Sequence, residues 1–305
     1  MPELPEVETT RLGIAPWLEG RTILAFTLRQ GRLRWPVDPE LSQQLPGLII
    51  QPLLRRSKYL VMPLLRSPQT VNSEAVNPEA VDPETVDPEA KSVPSEGLIW
   101  HLGMSGSLRL VQAETEWKKH DHLELVVQPR QPGDPDRLRY HDPRRFGALL
   151  HYQGAWQDQP ALAHLGPEPL SAEFNAAWLY QATRGKRQAI KVWLMSPQRV
   201  VGVGNIYATE ALFEARIDPR RAAGSLSESE CARLVEQVKD ILAKAIAQGG
   251  TTLRDFVGGD GQPGYFAQTL QVYGRAGAPC RVCGTDLEQL VQAQRRTVFC
   301  PQCQH

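Results

Sequence analysis

The chain has 305 residues, 41% of them hydrophobic, and its 34 basic residues balance 34 acidic ones. This length allows two domains with substantial cores, and no run of the sequence approaches the roughly 20 apolar residues that a membrane-spanning helix needs. The N-terminus carries acidic residues at positions 3, 6 and 8, where a signal or transit peptide would be basic. We therefore expect a cytoplasmic protein, and the five cysteines suit a metal site in a reducing compartment better than a disulfide framework.

The first residues, MPELPEVETTR, predict a helix over residues 5–18. Pro5 suits a first turn, where its missing N–H costs little. The large apolar residues of this segment share one face: Leu4, Val7, Ile14 and Leu18. We therefore expect the helix to pack against a core.

Pro2 allows two interpretations. Methionine before a small residue is normally trimmed, and trimming would expose Pro2 as a secondary amine. An amine that attacks C1′ of a nucleotide sugar forms an iminium, which divides base removal and strand cleavage into easier covalent steps. Glu3 could then move protons to the departing ring oxygen. The alternative is a proline that merely begins a helix.

Residues 22–152 have the pattern of β structure. Eight short segments are rich in β-branched and aromatic residues and are separated by Gly, Pro or charged turns. They are TILAFTL, GLIIQPLL, KYLVMPL, GLIWHL, GSLRLV, HLELVV, RLRY and GALLHY. This pattern predicts a sandwich or a flattened barrel.

Four tandem pentads, VNSEA VNPEA VDPET VDPEA, interrupt this region at residues 71–90. They hold six acids and no base, so the rest of the chain has 34 basic and 28 acidic residues, a net charge of about +6. Without aromatic residues, the repeat cannot bury enough surface to offset its ordering entropy. We predict a disordered insertion over residues 66–97, a tolerated loop expansion. The basic remainder suits a nucleic-acid partner.

Two predicted strand ends place a bulky residue beside glycine. Met104 lies in HLGMSGSL, and Phe146 lies in HDPRRFG with Arg144 close by. Unstacking a base pair needs an apolar wedge and a group that fills the vacated space. Taken singly, such residues belong to a core more often than to a wedge.

A proline-rich linker is predicted over residues 158–171, and helical patterns follow it. These are EFNAAWLYQATR, RQAIKVWLM and NIYATEALFEARI. Ser227 with Glu230 forms a capping box that begins one more helix, and the pair Gly249-Gly250 ends it.

Two glycine-rich stretches allow either a binding role or a plain structural one. VVGVGNIY opens a helix but lacks the third glycine of a dinucleotide fingerprint. Its amides, or Asn205, could hold one phosphate, or the stretch is a simple helix start. Residues 251–266 form either a mobile loop that closes over a ligand or an idle connection.

The most specific signal is a pair of CxxC motifs: Cys280 and Cys283, then Cys300 and Cys303. This spacing predicts one tetrahedral zinc ion on a hairpin. Four thiolates leave no open position for a substrate, so the zinc is structural. Between the two motifs, Arg295 and Arg296 could reach a phosphate or lie in a solvated turn.

Together these motifs resemble those of bacterial formamidopyrimidine-DNA glycosylases. The matching segments are PELPEVE, LGMSGSLR, DPRRFG, VGVGNIYATEALF, GGTTLRDF, GYFAQTLQVYGR and CRVCG…QRRTVFCPQC. The resemblance covers essentially the whole chain outside residues 66–97. It implies a multidomain α+β fold: an N-terminal helix and β-sandwich over 1–157, the linker 158–171, a helix–two-turn–helix DNA-binding domain over 172–275, and a zinc hairpin over 276–305.

The resemblance also implies a bifunctional base-excision repair enzyme, monomeric and associated with the bacterial nucleoid. Its partner would be double-stranded DNA that contains oxidised purines, such as 8-oxoguanine and formamidopyrimidines, or abasic sites. It would remove the base through a Schiff base on Pro2 and nick the strand by β- and δ-elimination. Its one cofactor would be a structural Zn²⁺.

The matching motifs imply a role for each site residue. Pro2 is the nucleophile, Glu3 the first proton donor, Lys58 the β-elimination residue and Arg295 the δ-elimination residue. Three residues fill the gap left by the flipped base: Met104, Arg144 and Phe146. Four fall at phosphate-contact positions: His120, Arg187, Lys191 and Asn205. Four line the lesion pocket: Glu6, Thr251, Arg254 and Tyr265.

The sequence departs from the family pattern in three places. The acidic repeat is foreign to it, Leu287 replaces a β-branched residue, and Arg296 stands where a small residue is usual. The third departure leaves open whether Arg295 or Arg296 holds the phosphate.

Two alternative functions are consistent with the same fold. An endonuclease VIII-type enzyme for oxidised pyrimidines is one, but its N-terminus typically reads PEGPE, and Leu4 favours the purine enzyme. A non-catalytic binder of damaged DNA is the other, and the presence of Pro2, Glu3 and Lys58 argues against it.

Overall fold

The computed structural model describes residues 2–66, 95–251 and 266–305, without the side chain of residue 267. The described chain forms an N-terminal helix with two β-sheets, then a group of helices, then a C-terminal hairpin. This architecture confirms the predicted fold class. No helix in these ranges is long and apolar enough to cross a membrane. The acidic pentads lie outside the described residues.

The N-terminal helix α1 (Leu4–Leu18) matches the prediction within one residue. The amide of Glu3, which caps the helix, donates to the Glu6 carboxylate over 2.8 Å. On the buried face, Val7 and Ile14 pack into the core of the sandwich. This packing fixes the chain terminus against the body of the protein.

Nine antiparallel strands form two sheets that share one core. The first sheet has the order β2-β4-β5-β9, with β3 paired to β4, and the second has the order β1-β7-β8-β6. The strands are β1 (Ile23–Leu28), β2 (Leu48–Ile50), β3 (Leu54–Arg56), β4 (Tyr59–Arg66), β5 (Glu96–His101), β6 (Ser107–Val111), β7 (Asp121–Val127), β8 (Arg137–His141) and β9 (Ala148–Gln153). A short helix, α2 (Leu41–Gln44), follows β1. The predicted sandwich is therefore present.

Two details of the strand prediction are wrong. The segment GLIIQPLL forms β2 and β3 rather than one strand, because Pro52 lies between them and has no N–H to donate. The predicted insertion 66–97 is too wide at both ends, since Arg66 ends β4 and Glu96 begins β5. The side chains of Arg66 and Glu96 form an ion pair at 3.3 Å. Strands β4 and β5 thus pair so that Arg66, at the end of β4, lies beside Glu96, at the start of β5.

Four helices form a second core: α3 (Ala176–Thr183), α4 (Ile190–Leu194), α5 (Asn205–Glu214) and α6 (Glu228–Ala247). The predicted capping box is present, with the Glu230 amide donating to Ser227 Oγ over 3.2 Å. Gly249 and Gly250 end the helix with φ angles of 75° and 80°, which favour glycine.

The C-terminal hairpin consists of β10 (Glu288–Gln292) and β11 (Arg295–Phe299). Leu287 and Val298 pack with Phe213 of α5 and with Val272. The residue that departs from the family pattern, Leu287, therefore helps to attach the hairpin to α5.

Candidate active site and DNA interface

The N-termini of α1 and α5 meet at Glu3. The Leu4 amide donates to the Gly202 carbonyl over 3.2 Å, and the Ile206 amide donates to Glu3 Oε1 over 3.4 Å. Glu3 is 2% exposed, and its Oε2 has no hydrogen-bond partner among the described residues. One oxygen is therefore anchored, while the other is buried without a hydrogen-bond partner among the described residues. Because the Ile206 amide faces Glu3, the start of α5 does not offer this amide to a phosphate.

Gly204 lies directly against the Glu3 carboxyl group. A Cβ atom at Gly204 would be 2.1 Å from the carboxyl carbon and 2.2 and 2.5 Å from the two oxygens. Real Cβ atoms do not approach other atoms so closely. The glycine of VGVGN is thus required for the carboxyl group to occupy this position.

Burial shifts the pKa values of Glu3 and Lys58 in opposite directions. It raises the pKa of the Glu3 carboxyl above its ordinary value, and the positive charge of Lys58 opposes that rise. It lowers the pKa of the Lys58 ammonium, with Glu3 opposing the shift and Arg295 adding to it. Desolvation disfavours whichever form is charged. The two shifts favour a protonated Glu3 and a neutral Lys58, the forms in which a carboxyl group acts as an acid and an amine acts as a base.

Glu6 anchors the N-terminus to the helical part of the chain. Its Oε1 accepts hydrogen bonds from the Tyr207 hydroxyl at 2.6 Å and the Thr251 amide at 2.8 Å, and its Oε2 accepts the Glu3 amide at 2.8 Å. Tyr207 and Thr251 are also linked, with their hydroxyl oxygens 3.0 Å apart. Glu6 and Thr251, both predicted as lesion-pocket residues, are thus in direct contact. The three hydrogen bonds of Glu6 also anchor the N-terminus, which the sequence did not reveal.

Lys58 lies in the two-residue turn between β3 and β4, in which Ser57 has a positive φ of 58°, an uncommon conformation for a residue with a side chain. The Glu168 carboxylate, in the predicted linker, accepts the Ser57 amide at 2.6 Å, Arg55 Nη1 at 2.7 Å and Arg56 Nη1 at 3.1 Å. One acidic residue from the linker therefore fixes the turn that presents Lys58.

A cavity of about 410 Å³ lies between the sandwich and the helices. Lys58 and His101 line it from the sandwich, Gly202 from the loop before α5, and Arg295 from the hairpin. Burial, together with the charges of Arg34 and Lys58, lowers the pKa of His101 to about 4. His101 is a site residue that sequence reasoning missed, although its motif HLGMSGSL was recognised.

Met104, Arg144 and Phe146 come together at one edge of the sandwich. Met104 and Phe146 are 40% and 47% exposed, and the Arg144 guanidinium stacks 4.7 Å from the centre of the Phe146 ring. A cavity of about 330 Å³ beside them is lined by Met104, Phe146, His101 and Arg34. Large apolar side chains so exposed are not core residues, which favours the wedge interpretation.

The tip of the hairpin is a two-residue turn, with Ala293 and Gln294 at φ angles of 45° and 61°. Such turns match the twist of the strands, but Asn and Gly adopt them more readily. Arg295 lines the cavity that contains Lys58, whereas Arg296 contributes its carbonyl, which accepts from Asn205 Nδ2 at 3.0 Å. This placement favours Arg295 as the arginine that reaches the cleft.

Lys191 and Asn205 attach the hairpin to the helices. Lys191 Nζ lies 2.6 Å from Asn205 Oδ1, 2.7 Å from Thr297 Oγ1 and 3.3 Å from the Arg296 carbonyl, which uses all three of its donors. Burial lowers the pKa of Lys191 to about 8. Lys191 is thus buried and connects the helices to the hairpin. The pattern RQAIKVWLM did not indicate this burial.

The four cysteines of the hairpin lie together, with all four Sγ atoms within 4.8 Å of one another. Cys283 and Cys300 have sulfurs 3.4 Å apart, and Cys280 and Cys303 have sulfurs 4.0 Å apart. Zinc–sulfur bonds of about 2.3 Å in a tetrahedron give sulfur–sulfur separations of about 3.8 Å. The cluster therefore fits one structural zinc ion, as predicted.

The other predicted residues lie away from the main cavity or outside the described chain. His120 lines a separate surface cleft with Arg29 and Arg145, and Arg187 is exposed between α3 and α4. Arg254 and Tyr265 lie outside the described residues. Sequence reasoning also missed Tyr207 and Glu168, whose contacts join distant parts of the chain.

Comparison with known proteins gives consistent matches along the chain. Family models match in three ranges: "Formamidopyrimidine-DNA glycosylase N-terminal domain" over residues 1–149, "Formamidopyrimidine-DNA glycosylase H2TH domain" over 165–257 and "Zinc finger found in FPG and IleRS" over 277–305. The formamidopyrimidine-DNA glycosylase of Sodalis glossinidius is 49% identical over 309 residues, covering 100% of both chains.

Two solved complexes have the same fold. The structure of the Lactococcus lactis Fpg (MutM) with Fapy-dG containing DNA has a TM-score of 0.81 and 30% identity, and the match covers 99% of this chain and 100% of that one. A MutM structure with DNA containing carbocyclic 8-oxo-G has a TM-score of 0.81 and 31% identity, with 100% coverage of both chains.

Proposed function

Because the chain belongs to the formamidopyrimidine-DNA glycosylase family, we propose that it is a base-excision repair enzyme that removes oxidised purines from double-stranded DNA and then nicks the abasic strand. Its substrate class is 8-oxoguanine and formamidopyrimidines, the lesions held in the related complexes. One observation carries the proposal for this chain: Lys58 and Arg295 line a single cleft, and Glu3 is near enough to Lys58 to influence its pKa.

In the first stage, the secondary amine of Pro2 attacks C1′ of the damaged nucleotide. A nitrogen–carbon bond forms as the glycosidic bond breaks and the base leaves. The departing base takes the proton that the Pro2 nitrogen loses. The sugar ring then opens: its oxygen takes a proton from Glu3, and the lone pair of the nitrogen forms a cationic iminium with C1′. The raised pKa of Glu3 keeps this proton on the carboxyl group closer to neutral pH.

In the second stage, two eliminations cut the strand. Lys58 removes a C2′ proton, and the 3′ phosphate leaves; a further elimination then releases the 5′ phosphate. The lowered pKa of Lys58 increases the neutral fraction that can accept a proton. Arg295, permanently charged, stabilises the departing phosphate. Zinc takes no part in these steps, because four thiolates complete its coordination and the ion serves to hold the hairpin.

The other site residues have supporting parts in this proposal. The wedge trio fills the gap left by the extruded base, and the remaining residues hold the DNA backbone or the lesion. The backbone residues are His120, Arg187 and Asn205, whereas Lys191, whose three donors are used within the protein, holds Asn205 and the hairpin in place. The pocket residues are Glu6, Thr251, Arg254 and Tyr265. We assign the catalytic domain to residues 1–157, the helix–two-turn–helix DNA-binding domain to 172–275, and the zinc hairpin, which supplies Arg295, to 276–305. The enzyme acts as a monomer on nucleoid DNA in the cytoplasm.

Borohydride trapping tests this function. The protein is incubated with a duplex carrying one 8-oxoguanine opposite cytosine, reduced with borohydride, and mapped by peptide mass spectrometry. An adduct on Pro2 supports removal of Met1, recognition of the lesion and the iminium mechanism together. Tight binding without an adduct, with Met1 absent by mass, would favour a non-catalytic binder. An adduct formed faster on an oxidised pyrimidine would favour an endonuclease VIII-type enzyme.

Gly204→Ala is expected to disable base excision by displacing the Glu3 carboxyl group. The added methyl would lie 2.1 Å from the carboxyl carbon, so the proton donor must move away from the sugar. We expect single-turnover excision of 8-oxoguanine to fall by about 100-fold, the lower range for loss of a positioned acid. Quenched-flow kinetics on the lesion duplex measures this.

Gly31→Ala is the matched control. Its Cβ would lie 3.4 Å from Leu28 Cδ2, an ordinary contact, in a loop away from Glu3. Equal excision rates for Gly204→Ala and wild type, at equal thermal stability, would contradict the role given to this glycine.

A further inference from the structure

The two loops that carry the wedge residues both cross from one sheet to the other at the same edge of the sandwich. Residues 102–106, with Met104, run from β5 of the first sheet to β6 of the second. Residues 142–147, with Arg144 and Phe146, run from β8 of the second sheet to β9 of the first. Each loop alone is a sheet connection without its own core.

A single buried carboxylate connects these loops. Asp142 is 0% exposed. Its Oδ1 accepts the Ser105 hydroxyl from the other loop at 2.6 Å and the Arg144 amide at 3.2 Å. Its Oδ2 accepts the Gly147 amide at 2.9 Å and the Tyr140 hydroxyl at 3.0 Å. These four donors occupy the full acceptor capacity of a carboxylate.

The loop backbones also touch directly. A Cβ at Gly103 would lie 2.4 Å from the Gly147 amide nitrogen and 2.4 Å from the carbonyl carbon of Phe146. Ser105 Oγ, besides donating to Asp142, accepts the Arg144 amide at 3.2 Å. Thus the backbone beside each wedge residue is fixed by the opposite loop or by Asp142.

We propose that Asp142 and Ser105 are positioning residues that join the two loops into one rigid wedge, so that Met104 and Phe146 enter the DNA as a unit. Extruding a paired base costs unstacking energy. If the two loops moved independently, less of the DNA-binding energy would be available to drive this extrusion. Neither residue touches the reacting atoms. The inference rests on the proposed function and deepens it, because it concerns base extrusion rather than the covalent chemistry.

The test compares a substrate that must be unstacked with one that has no base to unstack. Ser105→Ala, which removes both hydrogen bonds of the Ser105 hydroxyl to the other loop, is expected to slow single-turnover excision of paired 8-oxoguanine by about tenfold, the order expected for losing a hydrogen bond to a charged group. Nicking of a duplex with a preformed abasic site should change by less than about twofold. Asp142→Asn should slow the same step selectively and by a larger factor than Ser105→Ala. The reason is that the amide NH2 group of asparagine would face N–H and O–H donors, from which it cannot accept hydrogen bonds.

Tyr140→Phe is the control, since it removes a donor to the same carboxylate from within β8 and leaves the link between the loops. A 2-aminopurine beside the lesion provides a second readout, and its fluorescence rise on base unstacking should be slowed in Ser105→Ala. If Ser105→Ala slows the excision of 8-oxoguanine and the nicking of the abasic duplex by the same factor, or if it changes neither rate, the inference is overturned. Wild-type protein that processes neither substrate would refute the proposed function, and the inference with it.

Discussion

Any residue retained ahead of Pro2 is expected to abolish covalent chemistry. An N-terminal extension turns the secondary amine into a tertiary amide, which has no nucleophilic lone pair. Turnover on 8-oxoguanine DNA should fall by at least about 1,000-fold, the order of loss when a covalent nucleophile is removed. Borohydride trapping should give no adduct, while binding to a duplex with an uncleavable abasic analogue should remain within about threefold, because the phosphate contacts are untouched.

The matched control is the same extended protein after cleavage by a protease that leaves Pro2 as the first residue. Activity should return with cleavage, which excludes misfolding as the cause of the loss. An adduct on the extended protein that maps to Lys58 would contradict the assignment of Pro2, since Lys58 also lines the cleft.

Cys300→Ser is expected to release zinc and weaken DNA binding. The sulfur of Cys300 lies 3.4 Å from that of Cys283 in the four-cysteine cluster, and three thiolates bind the ion less tightly. Without the ion, the hairpin loses the position of Arg295 over the cleft. We expect affinity for lesion DNA to fall by about 100-fold, or about 2.7 kcal/mol, as measured by fluorescence anisotropy with metal content measured in parallel.

Cys231→Ser provides the same chemical change outside the cluster, because Cys231 is buried in α6. It should keep one zinc per chain and near-normal affinity. The sandwich has its own core, so circular dichroism should show its strands intact in Cys300→Ser. Unchanged zinc content and affinity in Cys300→Ser would contradict the hairpin assignment.

Features that depend on neighbouring residues were predictable from the sequence. The helix after Pro5, the Ser227–Glu230 capping box and the paired CxxC motifs each rest on spacings of a few residues, and the structure contains all three. Met104 and Phe146 were singled out because glycines mark the loops that carry them, while their wedge role came from the family resemblance and stays a prediction.

Features that depend on contacts between distant segments were not predictable. Nothing near Glu168 in the sequence indicates that it holds the Ser57 turn, 111 residues away. The junction of Glu3 with Ile206 spans 203 residues. The burial of Lys191 depends on Thr297, 106 residues further on. Single-chain patterns report which face of an element is apolar, but not which distant polar group will satisfy a buried charge.

The hairpin of β4 and β5 has a consequence for protein engineering. Arg66 and Glu96 form an ion pair, so the two ends of the segment that joins these strands are already held together. Lengthening such a closed connection adds only about 0.6 kcal/mol of entropy for each doubling. A reporter domain could therefore be inserted there rather than fused to the N-terminus, whose amine the proposed mechanism requires to be free. Because the acidic repeat already occupies this connection, we expect an inserted domain to leave base excision nearly intact.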